Sequence, residues 1–567
     1  MINLETLGGS GFLHAFAIAT FAATSQYVVL RAGVFSMATA GFMAIGAYSV
    51  AILTVRFGLS PLLGMATAIV LATLCGLALG LLVHRLRGVY QGIATLSFVL
   101  VVQQLLALGG KLTGGPFGIS GIPLFAESGV LLLGLAGTLV VVIVVEISRI
   151  GREQAAIRID EVAAASLGSN VARSNLIAIA YSAALGGFAG GMMAGNQFSI
   201  DPSVFSFHQI ITTLAAVIIG GYRFFLGPMF GSAVVVALPL LFSQYAVLAS
   251  TAVAVVTIAT LALAPNGVAS LTRLDGELLL KWLRRRLAHA PVQDLPAVAR
   301  APDAAPQSLV ADNIARSFGS VKAVDGVSLT VRPGEIVGLI GPNGAGKTSV
   351  INLLAGIAAL DAGTITLGAA RLDRLPAYQV QRLGLARTFQ ACRLLHEHSV
   401  ISNLLFSATA GRPAWRRREV SDAACAAAAL RFVGCEELAD QRADSLPYAF
   451  QRRVEIARAL AGEPRFLLLD EPAAGMTLSE AEELGATLRA VARLNIGVLV
   501  VDHNVPWILA LCDVVVVQHL GKIIASGTPK EVRENPAVIA AYIGEHGLSG
   551  KHTVRKAAAA PGGGSDA

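Results

Sequence analysis

The chain has 567 residues, of which 54% are hydrophobic and only 14% are charged, and its mean hydropathy is +0.67. This composition excludes an ordinary soluble protein, in which about a quarter of the residues are charged. The net charge of +7 reflects arginines beside apolar stretches and a basic second half, so it does not indicate a nucleic-acid partner. The five cysteines form neither a CxxC pair nor a Cys/His cluster, which predicts reduced thiols rather than disulfides or a zinc site.

Apolar stretches long enough to cross a bilayer, which takes roughly 20 residues, recur through the first half of the chain. The N-terminal stretch has no basic region, so we interpret it as a short tail before a retained membrane helix. We expect about 8–10 crossings, because the last three stretches are short or almost continuous. The predicted spans are residues 11–30, 34–55, 61–83, 89–108, 129–147, 175–195, 208–221, 227–243 and 245–264.

The loops between these spans predict the orientation. Their arginines fall on one side if nine spans alternate, and the positive-inside rule makes that side cytoplasmic, together with the second half of the chain. Residues 148–174 form the longest cytoplasmic loop and predict one or two short helices on the membrane surface. The Gly- and Ala-rich segment 181–195 fits either close helix packing or a role in lining a pathway. No span has a central Asp, Glu or Lys, which argues against ion-coupled transport.

The composition changes after residue 283. Residues 284–308 are rich in Ala and Pro without hydrophobic periodicity, which is typical of a linker. Residues 309–548 show the strand and helix pattern of an α/β domain, and the composition of residues 549–567 predicts a disordered tail. The expected organisation is a polytopic all-α membrane domain over residues 1–283, then the linker, the α/β domain and the tail.

The strongest motif is EIVGLIGPNGAGKTS at residues 335–349. An apolar strand precedes the glycines and a helix follows them, which is the context that a P-loop for a nucleoside triphosphate requires. The glycines let backbone amides approach phosphate oxygens, Lys347 supplies a cation, and the Thr348 hydroxyl can bind Mg²⁺. The predicted phosphate-binding residues are Gly341, Asn343, Gly344, Ala345, Gly346, Lys347, Thr348 and Ser349.

Two further strands end in polar residues. RFLLLDEP ends in Asp470, placed to hold Mg²⁺ through water, and in Glu471, which could polarise the attacking water. The alternative is an acidic strand end that faces solvent. GVLVVDH ends at His503, and this histidine alone would more often be a surface or capping residue.

The order and spacing of these motifs resemble the ATP-binding-cassette (ABC) family. ARTFQ, QRRVEIARAL, LLLDEP and VVDH follow the P-loop in the family's order. The resemblance implies that Gln390 senses the γ-phosphate and takes part in binding Mg²⁺ with Thr348 and Asp470. It implies also that His503 is the switch histidine. Phe318 resembles the aromatic residue that stacks on adenine, although a buried strand residue remains the alternative.

The resemblance is closer to importers of branched-chain amino acids, the Liv type. ARTFQACRLL and GTPKEVRENPAVIAAYIGE are similar to the first ATPase of these systems, and AGVFSMATAGFMAIGAYSVAIL and LTGGPFGISGIP to the second permease. The order implies a fusion of two subunits that are normally separate. A coupling helix that docks on the ATPase would lie in residues 153–170, where Glu161 and Gly168 resemble the family's motif.

The signature helix of this family normally begins LSxGQ, and in the Liv branch LSYGQQRR. Here the corresponding residues are Leu446, Pro447, Tyr448, Ala449 and Phe450. Pro447 lacks the hydroxyl that binds the γ-phosphate held by the opposite ATPase, and the methyl group of Ala449 opposes close approach. A lost charge-assisted hydrogen bond costs about 1.5–3 kcal/mol. A site built on this helix is therefore expected to bind or turn over ATP poorly. Thr477 also replaces the usual Asn or Asp of the D-loop.

The resemblance implies an ATP- and Mg²⁺-dependent importer in the bacterial inner membrane, with its ATPase domain in the cytoplasm. Its partners would be a second permease, a periplasmic solute-binding protein, membrane lipid, and either a second ATPase or another copy of this chain, but no nucleic acid. The solute could be a branched-chain amino acid, urea or another amide. A nucleotide-gated membrane regulator with little hydrolysis is the alternative class. An exporter is disfavoured, because exporters usually have six spans with long cytoplasmic extensions.

Overall fold

The computed structural model describes residues 10–242, 246–268, 307–410 and 421–542. These residues form two compact units. The first comprises residues 10–161 and 170–268, and the second comprises residues 162–169 and 307–542. The predicted tail and all of the predicted linker except residues 307 and 308 lie outside the described residues.

Helices dominate the first unit, as predicted. Among its described residues, six helices are long and apolar enough to cross a membrane, and three apolar helices are shorter. The number of crossings stays a prediction. The helices up to residue 268 are α1 (Ser10–Arg31), α2 (Thr39–Ala51), α3 (Pro61–Val83), α4 (Val89–Leu108), α5 (Gly110–Thr113), α6 (Ser128–Ile147), α7 (Arg149–Ile159), α8 (Glu161–Ser166), α9 (Val171–Asn196), α10 (Phe207–Gly220), α11 (Gly227–Leu241) and α12 (Ala246–Leu263). Of these, α8 belongs to the second unit except for its first residue.

Burial separates the long helices into two groups. About two thirds of the apolar windows of α1, α2 and α9 is buried, whereas α3, α4 and α6 bury a third or less. Because a bilayer solvates apolar side chains, the exposed leucines and valines of the second group fit a lipid-facing ring. The first group forms the centre of the unit.

Glycines allow α2, α3 and α9 to meet at backbone distance. A β-carbon on Gly46 would lie 2.1 Å from the carbonyl oxygen of Gly187, and one on Gly190 would lie 1.9 Å from that of Met43. A β-carbon on Gly187 would lie 2.7 Å from the carbonyl oxygen of Ala68. Larger residues would force the helices apart. The Gly-rich segment of α9 therefore serves helix packing, one of its two predicted roles.

A buried ion pair joins the C-terminal ends of α1 and α6. Arg31 Nε donates to Glu146 Oε1 at 2.6 Å, and the Tyr27 hydroxyl donates to the same oxygen at 2.8 Å. Glu146 is only 5% exposed, so its charge requires these partners. The pair ties two helix ends that are far apart in sequence.

Loop residues 148–174 form two short helices, as predicted. Ser148 begins α7 by accepting a hydrogen bond from the amide of Gly151, and α8 follows directly after Asp160. Elsewhere in the unit, two short strands, β1 (Ile119–Ser120) and β2 (Ser199–Ile200), pair antiparallel.

The second unit is an α/β domain with two sheets. The larger has the order β12-β11-β5-β10-β9-β8, parallel except for β12, and the smaller has the order β4-β3-β6-β7. The strands are β3 (Leu309–Phe318), β4 (Val321–Val331), β5 (Ile336–Ile340), β6 (Ala362–Leu367), β7 (Ala370–Arg371), β8 (Leu385–Arg387), β9 (Phe466–Asp470), β10 (Gly497–Val501), β11 (Val514–His519) and β12 (Lys522–Gly527).

The helices of this unit include the predicted helix after the P-loop and the predicted helix at LPYAF. They are α13 (Lys347–Leu354), α14 (Ala377–Arg382), α15 (Val400–Ala410), α16 (Asp422–Phe432), α17 (Tyr448–Ala461), α18 (Leu478–Arg493), α19 (Val505–Leu511) and α20 (Pro529–Glu534).

Both faces of the larger sheet are buried. Successive residues of β9 alternate between two hydrophobic clusters, with Leu467 and Leu469 in one and Leu468 in the other. This alternation explains why the central strands read as continuous apolar runs. Because β5, β8, β9 and β10 are parallel, the residues that follow them meet at one sheet edge, where the candidate site lies.

Candidate functional site

The P-loop lies between β5 and α13. Gly346 has a φ of +101° and directly precedes α13. A β-carbon there would lie 2.0 Å from the carbonyl oxygen of Ala323, so both the conformation and the space require glycine. This close fit leaves the backbone at the start of α13 unshielded by a side chain.

Lys347 is buried against the loop that it follows. This residue is only 7% exposed to solvent. The Nζ atom donates to the carbonyl oxygens of Gly341 at 2.7 Å and Pro342 at 2.9 Å. These contacts hold the positive charge at the mouth of the P-loop.

Asp470 lies beneath the loop at the end of β9. The Thr348 hydroxyl lies 3.4 Å from Asp470 Oδ1, and Arg387 Nη2 donates to Asp470 Oδ2 at 3.3 Å. Burial raises the pKa of Asp470, and the charge of Arg387 opposes part of that rise. Burial also lowers the pKa of Arg387 to about 10, against the opposite effect of Asp470. The two side chains are thus a buried, mutually compensated pair.

Glu471, Gln390 and His503 meet beside this pair. Gln390 Nε2 donates to Glu471 Oε2 at 2.8 Å, and His503 Nδ1 lies 3.9 Å from the same oxygen. Glu471 has a φ of +48°, which is strained for a residue other than glycine and is typical of functional sites. The structure therefore brings together three side chains that come from separate segments of the chain.

An open cavity of about 470 Å³ faces the P-loop and reaches Glu471. Part of its lining was predicted from the sequence, namely Asn343, Gly344, Gly346, Lys347, Thr348, Ser349 and Glu471. The rest comes from residues near the starts of β4 and β12, which carry no recognisable motif. These residues are Val321, Lys322, Ala323, Leu520 and Gly521.

Phe318 ends β3 and is 51% exposed. The alternative of a buried strand residue is therefore wrong. The guanidinium of Arg316 lies 5.2 Å from the centre of its ring, and Phe318 is not among the residues that line the described cavity.

The sequence reasoning missed two buried charges at the sheet edge. Arg387 closes β8, and besides Asp470 it donates to Asn352 Oδ1 at 2.5 Å and to the carbonyl oxygen of Thr388 at 3.1 Å. Asp502 follows β10, is 1% exposed, and accepts from the backbone amides of Ala473 and Asn504 at 3.2 and 2.9 Å. A charged residue at the end of an apolar strand was the available signal in both cases.

The start of α17 differs from the start of α13. Pro447 occupies the N-cap position and makes no side-chain hydrogen bond to the helix. Leu446 is buried, Ala449 is half-buried, and Tyr448 and Phe450 are 42% and 37% exposed. The exposed surface at this entrance is aromatic.

Of the predicted coupling motif, Glu161 begins α8 and Gly168 lies two residues after its last residue. Glu161 is the first residue of this helix and accepts a 2.7 Å hydrogen bond from Arg87. Gly168 has a φ of +102°, a left-handed conformation that favours glycine.

The fold and site define an ABC ATPase domain with a site for ATP, joined in one chain to a helical membrane domain. Residues 10–264 match the family model described as the branched-chain amino acid transport system permease component. Residues 324–474 match the ABC transporter family, and residues 522–547 match the branched-chain amino acid ATP-binding cassette transporter model.

Curated relatives match the second half of the chain. LivG of Salmonella typhimurium, a high-affinity branched-chain amino acid transport ATP-binding protein, is 41% identical over 249 residues, which are 42% of this chain and 98% of LivG. BraF of Pseudomonas aeruginosa, of the same description, is 40% identical over 240 residues, 40% of this chain and 94% of BraF. The crystal structure of the ADP conformation of MJ1267, an ATP-binding cassette, shares 30% identity with a TM-score of 0.39, covering 42% of this chain and all of MJ1267.

This chain belongs to the branched-chain amino acid ABC transporters, as a permease domain fused to a LivG-type ATPase domain. It is therefore a membrane protein with an ATP-hydrolysing domain, as the sequence predicted.

Proposed function

We propose that the chain is one permease-plus-ATPase subunit of an importer for branched-chain amino acids or related small amides in the bacterial inner membrane. The observation that carries this proposal is the meeting of Lys347, Asp470, Glu471 and Gln390 at one sheet edge, in a chain that also has a permease domain. Such residues can bind and hydrolyse ATP, and in the proposal this reaction drives conformational change in the permease domain of the same chain. The permease domain offers no central acid or lysine among its described spans, so ATP is the energy source.

In this proposal the P-loop residues 341 and 343–349 surround the phosphates. The backbone at the start of α13 and the Lys347 amine face the negative charge of ATP. Phe318, exposed at the end of β3, would stack on the adenine ring. Its ring lies on the same sheet as the cavity-lining residues Val321 and Lys322.

The oxygen atoms near the P-loop fit a magnesium ion. The Thr348 hydroxyl and the Asp470 carboxylate lie 3.4 Å apart, the amide oxygen of Gln390 is a third donor of the same kind, and oxygen ligands are those that Mg²⁺ prefers. When bound, Mg²⁺ would neutralise charge on the phosphates.

Glu471 and His503 would act on the attacking water and the γ-phosphate. The Glu471 carboxylate accepts a hydrogen bond from Gln390 and its backbone has a strained φ of +48°, which fits a general base that orients water. His503 Nδ1 approaches the same carboxylate oxygen as Gln390, at 3.9 Å, and lies 3.7 Å from Asp502 Oδ1. Such a neighbour can hold the imidazole while it contacts phosphate.

The altered LPYAF entrance makes a second, different ATPase the favoured partner. In a dimer of this chain both ATP sites would use the altered entrance. With a normal partner, one sound site would combine this chain's P-loop with the partner's signature. The assembly would also include a second permease and a periplasmic binding protein. Residues 1–283 would serve as the permease domain and 309–548 as the ATPase domain, with residues 284–308 and 549–567 as linker and tail, and α7–α8 would supply the coupling segment with Glu161 and Gly168.

Replacing Lys347 tests the proposal. In the complete assembly reconstituted in proteoliposomes, Lys347→Ala should reduce ATP-driven uptake by about 10²–10³, because one electrostatic stabiliser of the phosphates is lost. Lys530→Ala, at an exposed position of α20, is the matched control. Unchanged solute accumulation in the Lys347 variant would overturn the proposal.

The nucleotide-gated regulator remains a second candidate, because Pro447 leaves α17 without a side-chain N-cap. Glu471→Gln separates the two functions. In an importer, hydrolysis and uptake should both fall by about 10²–10⁴ while ATP binding persists. A switch that only binds ATP would keep its output. Glu437→Gln, an exposed change of the same kind, controls for altered charge.

A further inference from the structure

The buried face of α17 carries three charged side chains. Arg452, Glu455 and Arg458 follow one another at three-residue intervals and are 2%, 1% and 1% exposed. Helix positions that face a core are usually apolar, and a buried charge needs close partners. These three residues therefore require an explanation beyond helix packing.

Their partners lie in one short segment of backbone, residues 389–393. Arg452 Nη1 donates to the carbonyl oxygen of Phe389 at 2.6 Å, and its Nη2 donates to the carbonyl oxygen of Gln390. Arg458 Nη1 donates to the carbonyl oxygen of Arg393 at 2.6 Å. The segment is thus held from one helix at both of its ends.

Glu455 completes this network from the acceptor side. Its Oε1 accepts from the backbone amides of Phe389 at 3.4 Å and Arg393 at 3.5 Å. Its Oε2 accepts from Arg452 Nη1 at 2.9 Å. The carboxylate both compensates the arginine charge and binds the segment that the arginine binds.

The segment presents Gln390 to the site. The Gln390 backbone is held by Arg452, whereas its side chain donates to Glu471 at 2.8 Å. Contacts therefore run without a break from α17 through Gln390 to the carboxylate proposed to orient water. Tyr448 extends them to the altered entrance, because its hydroxyl oxygen accepts from Arg452 Nε at 3.0 Å.

We propose that Arg452 is a positioning residue that fixes Gln390 in the ATP site of its own chain, with Glu455 as its buried counter-charge. This inference rests on the proposed function of the site. The entrance of α17, which would serve the opposite ATPase, is altered, while the face that serves this chain's own site is intact. The helix therefore acts within its own ATPase domain.

The geometry requires arginine at this position. One planar guanidinium reaches two carbonyl oxygens, the Glu455 carboxylate and the Tyr448 hydroxyl. A lysine amine is a single point with three donors and cannot span these acceptors. Arg452→Lys therefore preserves the buried charge but loses the fixed geometry.

The test is a double-mutant cycle in the complete reconstituted assembly, with a normal second ATPase supplying the partner signature. Arg452→Lys should lower kcat for ATP hydrolysis by about tenfold, the effect of about 1.4 kcal/mol, while ATP affinity measured with a fluorescent nucleotide stays within about twofold. In a Gln390→Ala background the same change should have little further effect, because residues that act through one another are not additive.

Arg371→Lys, at an exposed ion pair with Asp373 whose arginine side chain is 64% exposed, is the matched control and should leave all values unchanged. If Arg452→Lys fails to assemble, Glu455→Gln replaces it in the same cycle with the same expected coupling. The inference would be overturned if Arg452→Lys lowered kcat by the same factor in both backgrounds. It would also be overturned if ATP affinity and kcat fell in parallel. The proposed function is judged separately, by uptake in the parent assembly and its loss in Lys347→Ala.

Discussion

Two helices of the ATPase domain begin at positions that face phosphate in the proposed function, and their first residues differ in kind. The helix after the P-loop, α13, follows Gly346, where a β-carbon would clash with backbone. The signature helix, α17, follows Pro447 and presents Tyr448 and Phe450 to the surface. One entrance exposes backbone and a lysine, whereas the other exposes aromatic rings.

The two helices differ in the residues exposed at their starts and resemble each other in the buried charges behind them. Behind α13, Asp470 is paired with Arg387, and behind α17, Glu455 is paired with Arg452. Both helices are thus anchored by buried charges, but only one retains a phosphate-binding entrance. An ATPase domain with this asymmetry can support one sound site when a normal partner completes it. The following predictions test that comparison.

The largest expected effect concerns the buried charge behind the P-loop. Arg387→Met leaves Asp470 without its counter-charge, and breaking a buried pair costs about 3–5 kcal/mol of stability. The thermal unfolding temperature of the assembly should therefore be clearly lower than that of the parent at neutral pH. Arg371→Met, at an exposed pair, should change it little. An unchanged unfolding temperature would show that the Arg387–Asp470 pair does not stabilise the protein.

The same variant predicts a pH dependence. Burial holds the pKa of Asp470 above its ordinary value, and Arg387 opposes the rise, so removing Arg387 raises this pKa further. A carboxyl whose pKa is raised by folding stabilises the protein below its unfolded pKa of 3.8 and loses that contribution as pH rises through the folded pKa. The loss of stability in Arg387→Met, relative to the parent, should therefore become smaller as the pH is lowered. The acidic limb of its ATPase rate should move to higher pH.

The next prediction converts the α17 entrance toward the family pattern. The triple change Pro447→Ser, Ala449→Gly and Phe450→Gln should restore a charge-assisted hydrogen bond of about 1.5–3 kcal/mol, or about ten- to more than a hundredfold in turnover by this chain alone. ATP hydrolysis by the purified chain without a partner measures it. The parent chain serves as the control. Robust turnover by the parent would remove the proposed asymmetry.

The smallest prediction concerns Thr477, which replaces the usual D-loop residue. The structure gives it another role, because its side chain and Glu480 form a capping box at the start of α18. Thr477→Ala should cost about 1 kcal/mol of stability, whereas Thr477→Ser should retain the cap, because a hydroxyl both accepts from the amide of Glu480 and donates to its carboxylate. Unfolding temperatures compare the two. Equal losses in both variants would contradict the capping role of the Thr477 hydroxyl.

Much of the architecture could be predicted from the sequence, because it follows local rules. The spans 61–83 and 89–108 coincide with α3 and α4, since apolar length alone defines them. The P-loop and the acids Asp470 and Glu471 were likewise predictable, since each lies at the end of a continuous apolar strand. The second predicted span begins later than expected, at Thr39.

The unpredicted features are pairs that are distant in sequence. Arg387 and Asp470 are 83 residues apart, Arg452 and Phe389 are 63 apart, and Arg31 and Glu146 are 115 apart. No local periodicity encodes such pairs, because a local pattern shows where a charged residue lies on a strand or helix but not which distant residue it meets. The exposure of Phe318 was also beyond local rules, since it depends on what packs over the strand end.

The backbone contact between α2 and α9 constrains how the permease domain can change shape. The two backbones lie so close that a β-carbon on Gly46 would be 2.1 Å from the carbonyl oxygen of Gly187, and one on Gly190 would be 1.9 Å from that of Met43. Rotation or sliding of one helix past the other would bring larger neighbouring side chains into this space. During a transport cycle these two helices should move together as one rigid body. Any opening and closing must then fall to the more loosely held helices around it.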